Sequence, residues 1–199
     1  MGSVTTVSVV PLDEVGTTLL AAASRLLAEH GPAALTVRRI AAEAGMSTMN
    51  VYSRFGGKDG VVEHLFLRGF ELLAAGLEAV PHTDDPMADL VRCGDEYRRF
   101  ALEHTTLYSV MFDRVVPLFE ASESASIKAA ATLQELADRL HLAMLAGSLR
   151  PADPLHTAAI VWSTCHGVVS LELKKSGLPI DWDAVYRDAC AAIIKGLAV

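Results

Sequence analysis

Residues 36–58, TVRRIAAEAGMSTMNVYSRFGGK, limit what this chain can fold into more than any other stretch. They read as two short helices joined by a tight turn. Ile40, Ala41 and Ala44 fall on one helical face and point inward together. Gly45 follows, and a glycine just past a short apolar helix supplies the positive φ that ends it. Met46 plugs the turn. Ser47 is placed to cap the second helix by accepting a backbone N–H. In that helix Val51 and Phe55 face inward, and Thr48, Met49, Tyr52 and Ser53 are left facing out. A short helix with a mixed polar and aromatic outer face, propped on another by a glycine turn, is the geometry that enters the DNA major groove.

The charges sharpen this expectation. Arg38 and Arg39 fall in the first turn of the first short helix, just after the cap residue Thr36, and Lys58 opens the helix after Gly57. A cation at a helix N-terminus opposes the macrodipole and costs from a few tenths to about 1 kcal/mol. An external anion offsets that cost, and phosphates bind at helix N-termini. One such cation is ordinarily a solvated surface group. Three in one short stretch, all at helix starts, point to a phosphate backbone.

The stretch resembles the DNA-binding domain of TetR-family transcriptional repressors. The likeness runs over residues 16–70 and is carried by LTVRRIAAEAGMS, VYSRF and Lys58 at its spacing after Phe55. It implies DNA contact at Arg38, Thr48, Met49, Asn50, Tyr52, Ser53, Arg54 and Lys58, with Tyr52 and Lys58 on phosphates. Thr36 and Ser47, at the two helix starts, complete the expected DNA-facing set. Val51 stands where the family usually has Leu. The arm before residue 12 lacks basic residues, so no minor-groove arm is expected.

Net charge is −7, which taken alone argues against DNA. The distribution removes the objection. Residues 1–70 hold six basic and six acidic side chains, whereas residues 71–199 hold 11 basic against 18 acidic and carry the whole excess. Residues 36–58 hold four basic side chains and only Glu43 acidic, a local +3. Charges beyond about 10 Å are largely screened at 0.1 M salt, so the patch governs.

The expected fold is all-α: a three-helix DNA-binding domain over residues 12–58 after a disordered arm at 1–11, a linking helix at 59–80, and a helical bundle at 81–199. Val15, Leu19, Ala22 and Leu26 stripe a first helix that ends at Gly31-Pro32. The linking helix turns Val62, Leu65, Phe66 and Leu73 inward, and PHTDDP at 81–86 ends it. Helices are expected at 87–104, 105–112, 124–146, 154–175 and 181–198. That at 154–175 is apolar on two faces, so both need burial. Leu155, Ala159, Trp162, His166, Val169 and Leu173 form one face. Ala158, Val161, Cys165 and Val168 form the other, assigned to a second chain together with Val185, Ala189, Ala192 and Ile193 of the last helix. Two such helices from each of two chains build a four-helix bundle.

The family likeness extends to this half. Residues 97–104 (YRRFALEH), Leu107-Tyr108, Met111-Phe112 and Trp162 with His166-Gly167 are similar to the WHG-type C-terminal domains of some TetR regulators, which implies effector binding and dimerisation here. Phe100, Tyr108, Met111, Phe112, Leu140, Met144, Trp162 and His166 are the expected lining for a hydrophobic or aromatic effector, against the plainer reading that they are core. His166 reads either as a satisfied core histidine or as a polar anchor.

No recognisable catalytic motif is present: no HExxH, GxSxG, P-loop, GxGxxG or CxxC. Cys165 and His166, adjacent on a helix, do not face each other as a nucleophile pair. Three scattered cysteines have no metal spacing and suit a reducing cytoplasm. No cofactor, metal or membrane partner is expected. The expectation is therefore a cytoplasmic homodimeric regulator on a palindromic double-stranded operator. A helical enzyme, or an interaction protein whose helix pair does not read DNA, are the rival readings.

Overall fold

The computed structural model describes residues 12–174, 177 and 179–199. The expected disordered arm, with its missing minor-groove contact, and Lys175 lie outside the described residues. Those residues form nine α-helices, α1 Glu14–His30, α2 Val37–Glu43, α3 Thr48–Phe55, α4 Lys58–Glu78, α5 Pro86–Glu103, α6 Thr105–Phe112, α7 Glu123–Leu145, α8 Pro154–Leu173 and α9 Trp182–Leu197. The only strand-like pairing among them is an isolated bridge between Leu149 and Ala198. The all-α expectation holds.

The chain divides into two compact units. The first takes the described residues up to Gly69 together with Thr106–Lys128, and the second takes Phe70–Thr105 with Ala129–Val199. Segment 81–86 thus lies inside the second unit.

In the first unit, α1 begins because Asp13 accepts the Gly16 N–H at 2.7 Å, and it ends at Gly31 with φ 70°. Its apolar face, Leu19, Leu20, Ala23, Leu26 and Leu27, meets Ile40 and Ala41 of α2, Val51 and Phe55 of α3, and Val61, Val62 and Leu65 of α4 in one core. Val110 and Val116 close that core, a contribution from α6 and the loop after it. Gly45 turns the chain between α2 and α3 at φ 66°. Met46 is half-buried against the core, as a plug for the turn should be. The first turn of α4 approaches α3 so closely that a Cβ on Gly60 would overlap the Phe55 carbonyl oxygen.

In the second unit, Leu90, Ala137, Leu140, Ala143, Met144, Leu149 and Ala158 form a core from α5, α7, α8 and the loop after α7. Arg139 is buried on α7, and its Nη2 donates to the Leu77 and Val80 carbonyl oxygens at 3.0 and 3.2 Å. A cation there suits the C-terminal dipole of α4 and satisfies carbonyls the helix leaves open. Arg98 of α5 donates to Glu172 of α8 at 3.0 and 2.8 Å and to Asp183 of α9 at 2.9 Å. Tyr186 of α9 is buried beside it and donates its hydroxyl to the Gly94 carbonyl at 2.6 Å.

One assignment on α8 changes. Ala158 and Cys165, expected to face a second chain, are buried within their own chain, and Val161 packs on the same core as Ala158. α9 and α7 cover that face, which periodicity alone could not distinguish from the opposite one. The outward side of α8 carries Ile160, Ser163, Gly167 and Leu171 instead, with Val168 half-buried at its margin. On α9, Val185 and Ala192 are exposed as expected, and Ala189 and Ile193 are half-buried.

Candidate nucleic-acid interface

Each side chain of the candidate interface takes its position from the burial of its neighbours. Ile40 and Ala41 drive one face of α2 into the core, which throws Arg38 and Arg39 outward. The Thr36 hydroxyl accepts the Arg39 N–H at 3.3 Å and fixes the start of α2, as expected. Val51 and Phe55 anchor α3 from below, so Met49 stands 71% exposed and Tyr52 56% exposed on its outer face beside exposed Thr48 and Ser53. An apolar and an aromatic side chain in water have no folding benefit, and stacked on a polynucleotide they gain contact area.

The second cap differs from expectation. The Ser47 hydroxyl makes no capping bond to α3 and instead lies 3.3 Å from the Asn50 amide nitrogen, which donates to it. The first N–H groups of α3 are therefore left without a side-chain cap.

Asn50 and Arg54 belong to a network inside the unit. Asn50 accepts Arg54 Nη1 at 3.1 Å, and Arg54 forks onto Asp13, with Nε 2.8 Å from Oδ1 and Nη2 2.6 Å from Oδ2. Asp13 is also the cap of α1, so one carboxylate starts α1 and holds α3. The Arg54 guanidinium, and secondarily the Gly16 N–H, hold the Asp13 carboxyl down to about 2. Arg25 pairs Glu43 at 3.0 Å. Both the one acidic residue and one of the four basic residues of the stretch are thus internally neutralised. Arg38, Arg39 and Lys58 make no ion pair among the described residues, and they carry the outward charge.

The expected effector residues are distributed over both units. Leu140 and Met144 are in the α5–α7–α8 core. Trp162 and His166 meet at Tyr97, which is absent from the expected effector set and is named only within the stretch 97–104. The indole of Trp162 donates to the Tyr97 oxygen at 3.3 Å, and that hydroxyl lies 3.2 Å from His166 Nδ1. An indole can only donate, so the Tyr97 oxygen is the acceptor in the bond from Trp162. Phe100 packs on His104, with ring centroids 5.3 Å apart. Tyr108, Met111 and Phe112 belong to the first unit: Tyr108 stacks edge-on to Phe112 at 4.9 Å, and Met111 lies against Gly69.

Residues 19–65 match the model for bacterial regulatory proteins of the tetR family, and residues 90–193 match that for the tetracyclin repressor-like C-terminal domain. The chain belongs to the TetR family. HTH-type transcriptional regulators of Mycobacterium tuberculosis and Mycobacterium bovis, themselves uncharacterised, are 36% identical to it over 98 residues, which is 49% of this chain and 46% of theirs. The chain spans about half the length of those curated relatives. A solved protein of unknown function from Rhodococcus sp. RHA1 superposes with a TM-score of 0.82 at 25% identity, over 95% of this chain and 98% of that one. The TetR-family regulator PfmR of Thermus thermophilus shares the fold at a TM-score of 0.72 and 22% identity, over 91% and 99% of the two chains. This TetR-family member thus has the helix-turn-helix in α2 and α3 and a helical C-terminal region, and no described helix is long and apolar enough to cross a membrane.

Proposed function

We propose that this TetR-family regulator represses transcription as a homodimer, placing α3 of each copy in successive major grooves of a palindromic operator and leaving the DNA when an effector binds. The observation that carries this reading is the outer face of the first unit. Met49 and Tyr52 stand in solvent on α3, flanked by Arg38, Arg39 and Lys58 without ion-pair partners among the described residues. Arg38 and Lys58 hold phosphates, Tyr52 adds its hydroxyl to the backbone contacts, and Thr48, Met49 and Ser53 face base edges. Asn50 and Arg54 set the angle of α3 through Asp13, and they reach bases only by giving up that network. Both termini of the proposed contact favour phosphate: α2 opens with two cations, and α3 opens with uncapped N–H groups.

Dimerisation is assigned to the outward side of α8 and α9, where Ile160, Gly167, Leu171, Val185 and Ala192 give a small and apolar surface for a second copy. The effector is assigned to the second unit. Tyr97, Trp162 and His166 offer a polar end beside apolar Phe100 and the α5–α7–α8 core, which suits a hydrophobic or aromatic molecule with one hydrogen-bonding group. Its binding would favour a dimer geometry that no longer matches the groove spacing.

Selection of bound duplexes from a random pool tests the reading. It is expected to enrich an inverted repeat whose half-sites are centred about 34–36 Å apart. Failure to enrich any sequence at low salt would remove DNA reading and leave the interaction-protein alternative.

A further inference from the structure

Cys165 of α8 and Cys190 of α9 lie with their Sγ atoms 3.7 Å apart, across the packed α8–α9 pair and 25 residues apart in sequence. Both are free thiols, Cys165 buried and Cys190 half-buried, so the pair is reached from the Cys190 side. The spacing is that of a thiol hydrogen bond, and closing a disulfide brings the two sulfurs to about 2.05 Å. We propose that Cys165 and Cys190 are an oxidisable thiol pair, closed by a peroxide into an intrachain disulfide between α8 and α9.

The hydrogen bond between the two sulfurs prepares the pair for oxidation. It favours loss of the first proton from the pair, against the opposing effect of burial. The thiolate is the reactive form. The thiolate of one sulfur attacks one peroxide oxygen, the O–O bond breaks, and the departing hydroxide takes a proton to become water. That sulfur is then a sulfenic acid. The other sulfur attacks it, the S–O bond breaks, and the hydroxide leaves with the second thiol's proton as a second water. Two thiols lose two electrons and two protons in all, and one peroxide is reduced to two waters. Cys93, buried on α5, has its thiol pushed up by burial and is an internal control. The new bond would join the two helices assigned to the dimer surface, although its formation does not depend on that assignment.

The test is treatment of the full reduced chain with near-stoichiometric hydrogen peroxide, followed by intact-mass measurement and peptide mapping without reductant. The expected result is loss of two hydrogens, one cross-linked peptide joining Cys165 to Cys190, recovery of both thiols on reduction, and unmodified Cys93. Cys190→Ser and Cys165→Ser are each expected to abolish the cross-link and to leave the remaining thiol of the pair as a sulfenic acid that a dimedone probe captures. Far-UV circular dichroism of each variant checks that it is folded. Diamide on the unaltered chain gives a readout that needs no variant, and it should produce the same cross-link. Oxidation of Cys93 at the rate of the pair, or oxygen adducts at Cys165 without the cross-link in the unaltered chain, would overturn the proposal.

Discussion

Lys58 opens α4 next to the outer face of α3, and no described carboxylate pairs with it. A residue held to a phosphate carries no base information, so Lys58→Ala is expected to weaken binding to every duplex about equally and to lower the salt slope by about one unit. Gel shifts across a salt series on the selected operator and on an unrelated duplex measure both effects, and altered preference at a single base position would refute the phosphate assignment. Asp13 gives a second prediction. Its carboxyl lies near 2 in the folded chain against an ordinary 3.8, so what it adds to stability is complete above 3.8 and is lost as pH falls through about 2. An NMR titration should place its midpoint near 2, and Asp13→Asn should remove the part of the acid transition between those two values. A midpoint near 3.8 would mean that the Arg54 pair does not persist in solution. The outward residues of α3 and the cations at helix starts were legible from the sequence, because they depend on periodicity and on neighbours within a turn. The Arg54–Asp13 pair joins residues 41 apart, and no local pattern encodes it.

The elements themselves were largely readable, with ends within a residue or two, because caps and breakers lie where the helices begin and stop. Thr36, Gly31 and Gly45 acted as read; Ser47 did not, because the Asn50 amide competes for its hydroxyl. Contacts between elements had no such signal. Gly60 reads as a poor helix residue, yet a Cβ there would overlap the Phe55 carbonyl. Backbone cannot move aside cheaply, so Gly60→Ala is expected to destabilise the chain by about 1–3 kcal/mol in urea unfolding. Gly69→Ala is the comparison. Its Cβ would meet the Met111 thioether, a flexible side chain that can turn away, so the loss should be smaller. Equal losses would contradict the close approach of α4 to α3. In the second unit, Tyr97→Phe strips the shared partner from the Trp162 indole and His166 Nδ1, and it is expected to cost about 1–3 kcal/mol by the same measurement. An unchanged midpoint would show that the indole and the imidazole are satisfied without the hydroxyl.

For the whole molecule the decisive question is which side of α8 and α9 meets a second copy. Leu171→Lys places a charge on the outward side of α8 without touching either core. It is expected to yield a folded monomer at micromolar concentration in analytical ultracentrifugation. With the two readers unlinked, affinity for the palindromic site should fall by about a hundredfold or more. A dimer of unchanged stability would move the interface elsewhere. The sequence by itself determined the all-α class, the helix-turn-helix and its exposed face, because short-range periodicity, caps and glycine turns dictate them. It also located the family likeness in both halves. Only the tertiary structure decided which face of α8 is buried, that α6 contributes to the core of the first unit, and that Tyr97, Trp162 and His166 share one hydroxyl. Those outcomes depend on which apolar surfaces find each other across long stretches of chain. A helix apolar on two faces, such as α8, has no preferred inside until its neighbours are packed against it.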